Sequence, residues 1–167
     1  MDLRSIFTNT SDKILLKILN SNKPDAYARI IGNSDNTQLH GTVQFYDTPL
    51  DGVLVKAEIA GLPNAFKLYS SNFYGFHIHE NENCSNNFEK TGAHYNPDKL
   101  PHPDHAGDLP PLLGNQGFAY SIFFTRRFNI DEIINKSVVI HRMPDDFTSQ
   151  PSGNSGIKIG CGVITRA

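Results

Sequence analysis

Short runs in which apolar and polar residues alternate recur along the chain. They lie at 26–31 (AYARII), 41–47 (GTVQFYD), 52–63 (GVLVKAEIAGLP), 72–80 (NFYGFHIHE), 117–124 (GFAYSIFF), 137–143 (SVVIHRM) and 157–165 (IKIGCGVIT). A period of two puts every second side chain on one face, and β-branched and aromatic residues suit a pleated, half-buried surface, so each run predicts a strand. Turn-forming clusters such as GNSDN, DTPLDG and PSGNSG separate them. The pattern predicts an all-β fold, a Greek-key β-barrel or sandwich of about eight antiparallel strands. Residues 11–20 break the rule: Ile14, Leu15, Ile18 and Leu19 recur with helical spacing, and Ser11 stands where an N-cap would. A short helix packed on the barrel as an N-terminal appendage is expected there.

One stretch carries neither period. Residues 84–116, CSNNFEKTGAHYNPDKLPHPDHAGDLPPLLGNQ, are rich in proline and hold His94, His102, His105 and Asp108. A loop of this length is uncommon in a compact domain unless it is functional or disordered. A merely solvated loop would favour Lys, Glu and Ser, whereas this one concentrates imidazole. His105 and Asp108, three apart in HAGD, can converge on one ion within a turn. A set of three histidines and one aspartate is a nitrogen and oxygen tetrahedron that zinc accepts.

The strand at 72–80 adds a second set. His77 and His79 are two apart and therefore project side by side, with Phe76 and Ile78 on the other face. His141 ends the apolar run VVIH. Any one of these histidines alone reads as a surface or hydrogen-bonded core residue. Six of the chain's seven, gathered in a His-x-His strand, a His/Asp-rich loop and a strand end, point instead to metal ligation. His40, in a polar turn, is the ordinary one.

Composition narrows the choice without making it. At 167 residues the chain is long enough to bury one proper core. A net charge of −2 offers no electrostatic footprint for nucleic acid or for an anionic membrane. No apolar run approaches a membrane span. In MDLRSIFTNTSDKILLKILN, Asp12, Lys13 and Lys17 interrupt what would be a signal peptide's apolar stretch, which favours a cytoplasmic location. The two cysteines, Cys84 and Cys161, are too far apart for a metal-binding CxxC. Two buried thiols or one disulfide both remain open on spacing alone.

GFHIHENENC, GAHYNP, HAGDLP, VVIHRMPDD and GIKIGCGVI, in that order, resemble the signature segments of the copper/zinc superoxide dismutase family. The resemblance covers residues 25–167 and leaves 1–24 as an extension; the step from His79 to Cys84 is closer to the family's bacterial branch. It implies copper on His77, His79, His94 and His141. It implies zinc on His94, His102, His105 and Asp108, so that His94 bridges the two metals. Asp145, four residues after His141, matches the carboxylate that links a copper histidine to a zinc histidine, here His77 and His102. Cys84 and Cys161 match the family's disulfide. The implied activity is dismutation of superoxide to oxygen and hydrogen peroxide, by a homodimer, with His94 as the proton-handling ligand. Bacterial members usually travel to the periplasm, so bacterial-looking motifs without a signal peptide suggest another source, such as a virus.

Two departures from the family pattern stand out. Where the family has an arginine three residues before the second cysteine, this chain has Lys158, a flexible point charge in place of a planar fork. Lys158, with help from Arg142, is expected to draw the anion toward copper. His102 and His105 are only three apart, where the family has a longer excursion, so zinc could be left with His94, His105, Asp108 and water. Two further readings are a non-catalytic metal-binding relative, which stores or delivers metal or acts as a decoy, and a structural β-sandwich. The first has Lys158 in its favour; the second leaves six placed histidines without a role.

Overall fold

The structure is a computed structural model, and it describes residues 10–21, 23–64 and 71–167. Among the described residues nine strands form: β1 (Ala26–Gly32), β2 (His40–Thr48), β3 (Gly52–Ala60), β4 (Phe73–Tyr74), β5 (Phe76–His79), β6 (Leu112–Leu113), β7 (Phe118–Thr125), β8 (Ser137–His141) and β9 (Lys158–Arg166). Seven of them make one curled antiparallel sheet in the order β5-β8-β9-β1-β2-β3-β7, and β4 pairs with β6 in a second, small sheet. The fold is the all-β barrel-like architecture that the alternation predicts.

The alternation also explains which face is inside. Ala26, Ala28 and Ile30 of β1, Val43 and Phe45 of β2, and Val53, Val55, Ala57 and Ile59 of β3 all point into one apolar core. Phe76 and Ile78 of β5 join it, as do Val138 and Ile140 of β8 and Ile159 of β9. Burying each valine, isoleucine or phenylalanine among them is worth about 1.5–3 kcal/mol, which holds this face of the sheet inward. β5 and β8 are buried on both faces, which is unusual for antiparallel strands and follows from what covers their outer side.

That cover is the long loop. Backbone bonds lay it on β5: Ile78 N donates to Gly107 O at 2.8 Å, Tyr95 N to Ile78 O at 2.8 Å, and Leu109 N to Phe76 O at 3.2 Å. Gly107 allows this approach, because a Cβ there would sit 2.3 Å from the Ile78 carbonyl oxygen. Within the loop, Asn86–Thr91 turns as a short 3-10 segment. A disulfide joins Cys84, at its start, to Cys161 of β9, with the two Cα atoms 5.8 Å apart. This settles the alternatives that spacing left open.

Three local readings need correction. The expected strand 72–80 is two strands, because the chain changes partner at Gly75: Tyr74 pairs with Leu112, Phe76 with Ile140. β6 follows two prolines and is too short to show a period. A short helix, α2 (Ile130–Ile133), was not expected, although Asn129 and Glu132 form a capping box at its start. The N-terminal helix, α1 (Thr10–Asn20), is present and touches β2, with Ile14, Leu15, Ile18 and Leu19 half-buried and Leu16 exposed. Its first turn contains Ser11, whose side chain lies outside the described residues.

Candidate metal centre

The site forms between the outer face of β5 and β8 and the loop laid across them. Because His77 pairs opposite Val139 and His79 opposite Ser137, both imidazoles stand on the face away from the core. His141, two residues beyond Val139 on β8, takes the same face by the strand's alternation, opposite to Val138 and Ile140 in the core. The loop brings His94 opposite His79 and Asp108 opposite His77 through isolated β-bridges. The result is two groups of donor atoms, each within 4.8 Å of one another: His77, His79, His94 and His141, and His94, His102, His105 and Asp108. All seven residues are buried, and His94 belongs to both groups. His102 therefore reaches its group despite the three-residue step to His105. His40 lies elsewhere, exposed, with Nδ1 2.8 Å from Gln38 O.

Four of the rings, His77, His79, His102 and His141, have one nitrogen committed outward and one turned inward. His79 Nδ1–H donates to Gly92 O at 2.9 Å and His141 Nδ1–H to Gly156 O at 3.1 Å. Those bonds fix the tautomers, so the two Nε2 atoms face each other with lone pairs at 3.2 Å. Asp145 bridges two further rings, accepting from His77 Nε2 at 2.8 Å and from His102 Nε2 at 2.9 Å. Gly153 leaves room for this bridge: a Cβ there would lie 2.0 Å from Asp145 Oδ1 and 2.6 Å from His102 Nε2. His94 Nδ1 donates to Asp108 Oδ1 at 2.7 Å.

The inward atoms lack partners. His77 Nδ1, His94 Nε2, His102 Nδ1 and His105 Nδ1 are buried with no hydrogen bond. His102 Nδ1 and His105 Nδ1 lie 3.0 and 3.2 Å from Asp108 Oδ2, close enough for ion pairing but not aligned as hydrogen bonds. Leaving a buried polar atom unpaired costs about 1–3 kcal/mol, so four of them would consume much of a fold's ~5–15 kcal/mol. A cation between them turns that cost into attraction. Three or four imidazoles suit copper, and the three-histidine, one-aspartate group suits zinc, so the residues present fit both ions.

Electrostatics point the same way. Burial, and then the neighbouring His77, press His141 down to about 3. Burial likewise pushes His79 well below the usual imidazole range, with His141 and His94 adding to it. Burial lowers His77 and His105 too, against the pull of Asp145 and Asp108. Burial would raise Asp145, but hydrogen bonds from His77, the Phe147 amide and His102 outweigh it and hold the carboxyl at about 2. Burial thus favours the neutral form of His77, His79, His105 and His141, and the hydrogen bonds favour the anion of Asp145, the states that metal ligation requires.

Lys158 is tied down beside this site. Its Nζ donates to Thr91 Oγ1 at 2.7 Å and lies 3.4 Å from Phe88 O, while Thr91 Oγ1 is itself 3.4 Å from His79 Nδ1. Its charge is near enough to depress both His79 and His141. Arg142 is directed elsewhere, over the Tyr74 ring and toward Ser71 O, so the help expected from it is not seen. Sequence reasoning missed Thr91, the Gly92 and Gly156 carbonyls, Arg127 and Gln150. A backbone acceptor leaves no mark in a sequence, and none of these side chains belongs to a motif.

Known proteins show the family to which the chain belongs. The family model for copper/zinc superoxide dismutase (SODC) matches residues 39–164. The extracellular [Cu-Zn] superoxide dismutase of Drosophila melanogaster is 36% identical over 158 residues, covering 83% of each chain. Superoxide dismutase [Cu-Zn] 3 of Arabidopsis thaliana is 32% identical over 155 residues, 83% of this chain and 88% of that one. Among solved structures, the clock protein EA4 superposes with a TM-score of 0.71 at 26% identity, over 87% of this chain and 97% of that one. A double mutant of a SOD-like protein from Bacillus subtilis gives 0.70 at 26% identity, over 83% and 96%. Signature segments, fold, paired donor groups and these relatives agree, and the chain belongs to the copper/zinc superoxide dismutase family.

Proposed function

We propose that the chain catalyses the dismutation of superoxide, two superoxide anions and two protons giving one dioxygen and one hydrogen peroxide. Copper would be held by His77, His79, His94 and His141, and zinc by His94, His102, His105 and Asp108. The observation that carries this reading is the set of buried, unpaired ring nitrogens directed into the two groups. Copper would supply the one-electron alternation that dismutation needs, and zinc, with a single oxidation state, a fixed charge.

The chain's own residues supply the rest. The Gly92 and Gly156 carbonyls hold His79 and His141 with Nε2 free, and Asp145 holds His77 and His102 with Nδ1 free. Such partners fix ring orientation and raise basicity. His94 Nε2 is the atom at which we place the proton later given to departing peroxide, because Nδ1 is held on the Asp108 side. Lys158, anchored by Thr91, presents a localised positive charge beside His79 and His141, where an incoming anion would be drawn.

The domain so read spans residues 25–167, with 1–24 as an extension, and it works as a homodimer. We place it in the cytoplasm. Among the described residues no helix is long and apolar enough to cross a membrane. Sedimentation and cell fractionation test the last two points. The central test is the dismutation rate of protein reconstituted with copper and zinc, beside a zinc-only control. Copper-dependent turnover is expected. Stoichiometric copper without turnover would instead make this a metal-holding relative and would direct attention to Lys158.

A further inference from the structure

The segment that carries three of the four zinc-side residues has no ladder of its own. Between His102 and Asp108 the chain makes two turns, Asp104 N to Pro101 O at 2.9 Å and Asp108 N to His105 O at 3.1 Å. Among the described residues its backbone meets neighbouring backbone at the far end alone, through Gly107 N to Tyr95 O and Ile78 N to Gly107 O, each at 2.8 Å, and the His77–Asp108 bridge. Three of its carbonyls converge on one side chain. Arg127, two residues beyond the end of β7, donates from Nη1 to Pro103 O at 2.8 Å and to His105 O at 3.0 Å, and lies 3.4 Å from Asp108 O. Its Nη2 is 3.8 Å from Asp104 Oδ1. Gln150 does the same kind of work from the opposite side. Its Oε1 accepts from His102 N at 3.1 Å and its Nε2 donates to His102 O at 2.7 Å.

We propose that Arg127 is the positioning residue of the zinc side: it sets the backbone of residues 103–108 so that His105 and Asp108 face His94 and His102 before an ion arrives. The inference rests on the reading that this group takes zinc. It explains how a step as short as His102 to His105 can still bring two rings to one point. Zinc accepts nitrogen ligands only near ~2.0–2.1 Å, and a loop free to breathe would lose that fit. A guanidinium has five donors in a fixed plane and can hold several carbonyls at once, whereas an ammonium is a compact charge on a flexible stem. The neighbouring Arg126 is an internal control. It also donates to carbonyls, Asp51 O and Leu50 O at 3.0 Å each, but these belong to the β2–β3 turn.

The test is zinc affinity by chelator competition on the metal-free full chain, with copper affinity measured in parallel and Co(II) as a spectroscopic probe of the same group. Arg127→Gln is expected to weaken zinc by about 10–100-fold, the range for partners behind metal ligands, while copper affinity changes far less. The visible Co(II) bands should lose tetrahedral intensity. Arg127→Lys, which keeps the charge and folding, should recover less than half of the loss on a logarithmic scale. Arg126→Gln should leave zinc affinity unchanged. Wild-type zinc affinity in both Arg127 variants, or full rescue by lysine, overturns the inference while leaving the zinc reading intact. Failure of the unaltered protein to bind zinc overturns both.

Discussion

The proposed copper and zinc sides of the centre share His94 and little else in how they are built. Three of the four copper-side histidines stand on β5 and β8, strands locked by ladder bonds and buried on both faces. The zinc side hangs on a loop pinned by a few backbone bonds, by Arg127 and by Gln150. Precision thus comes from sheet register in one half and from side chains gripping carbonyls in the other. Asp145 and His94 couple them through side chains, one by bridging His77 to His102 and the other by belonging to both groups, and the His77–Asp108 bridge couples them through the backbone. A strand tolerates loss of a partner behind it better than a loop does.

Removing the shared residue should erase the distinction. His94→Ala takes a donor from both groups and the proposed proton carrier from the mechanism, and is expected to lower turnover by roughly 10²–10⁴-fold, the usual worth of a placed acid–base group. Retained turnover at a tenth of the wild-type rate would show that His94 does not carry the proton. Asp145→Asn should separate the halves instead. It leaves every ligand in place but removes the anion that orients His77 and His102. Zinc affinity should fall by about 10–100-fold and copper affinity by clearly less, since β5 still holds His77. Equal losses at both metals, read by competition titration, would break the comparison.

Stability offers a third contrast, because the disulfide ties the start of the loop to β9 and cross-links neither β5 nor β8. Cys84 and Cys161 close a separation of 77 residues. In the chain-entropy model a loop of that length contributes about 4–5 kcal/mol. Cys84→Ser should lower the denaturation midpoint of the metal-free protein and raise hydrogen exchange in residues 85–93 before β5 or β8 open. Uniform exchange across loop and strands would show that the two are one cooperative unit.

Legibility in the sequence divides along the same line. His77 and His79 are readable because a strand's period places them together, and His141 because it ends an apolar run. The strand set around them follows from alternation, as does the inner face of the core. The change of partner at Gly75 is invisible to alternation, which reports which face a residue takes but not which strand it meets. The helix at Ile130–Ile133 did leave a mark, the Asn129 to Glu132 capping pair, in a segment otherwise read as a connection. Arg127 and Gln150 left none, since a side chain that reads backbone carbonyls across 19 to 48 residues obeys no local pattern. The short His102–His105 step looked like a threat to zinc for that reason: the parts that compensate for it lie elsewhere in the chain.

The acid response should follow from the buried rings. In the metal-free protein His77, His79, His105 and His141 all resist protonation when folded, chiefly through burial, with His141 pushed down to about 3. The unfolded chain takes up those protons near ~6.5. Stability is therefore full above ~6.5 and declines as pH falls from there toward 3. Asp145, held at about 2 when folded, acts with the same sign lower down, its contribution being lost as pH drops from ~3.9 toward 2. Urea midpoints should fall steadily between about pH 7 and 5, and a flat profile would mean that these rings are not kept neutral by the fold.

The smallest expected effect concerns Lys158, which sits on β9 but reaches into the loop. Its Nζ is fixed by Thr91 Oγ1, so a point charge that would otherwise wander is held beside His79. That anchoring argues for turnover with lysine in the arginine's place, at a rate arginine would raise. Lys158→Arg should increase the rate by a few-fold at most, about the advantage of a planar fork over an ammonium in a site already charged. Lys158→Gln should lower it and, more tellingly, flatten its dependence on salt. In the unaltered protein the rate should fall as ionic strength rises, because the net charge of −2 repels the substrate and only local positive charge attracts it. If Lys158→Gln keeps the full salt slope, the attraction comes from the metals alone and the lysine serves only to hold Thr91 and the loop.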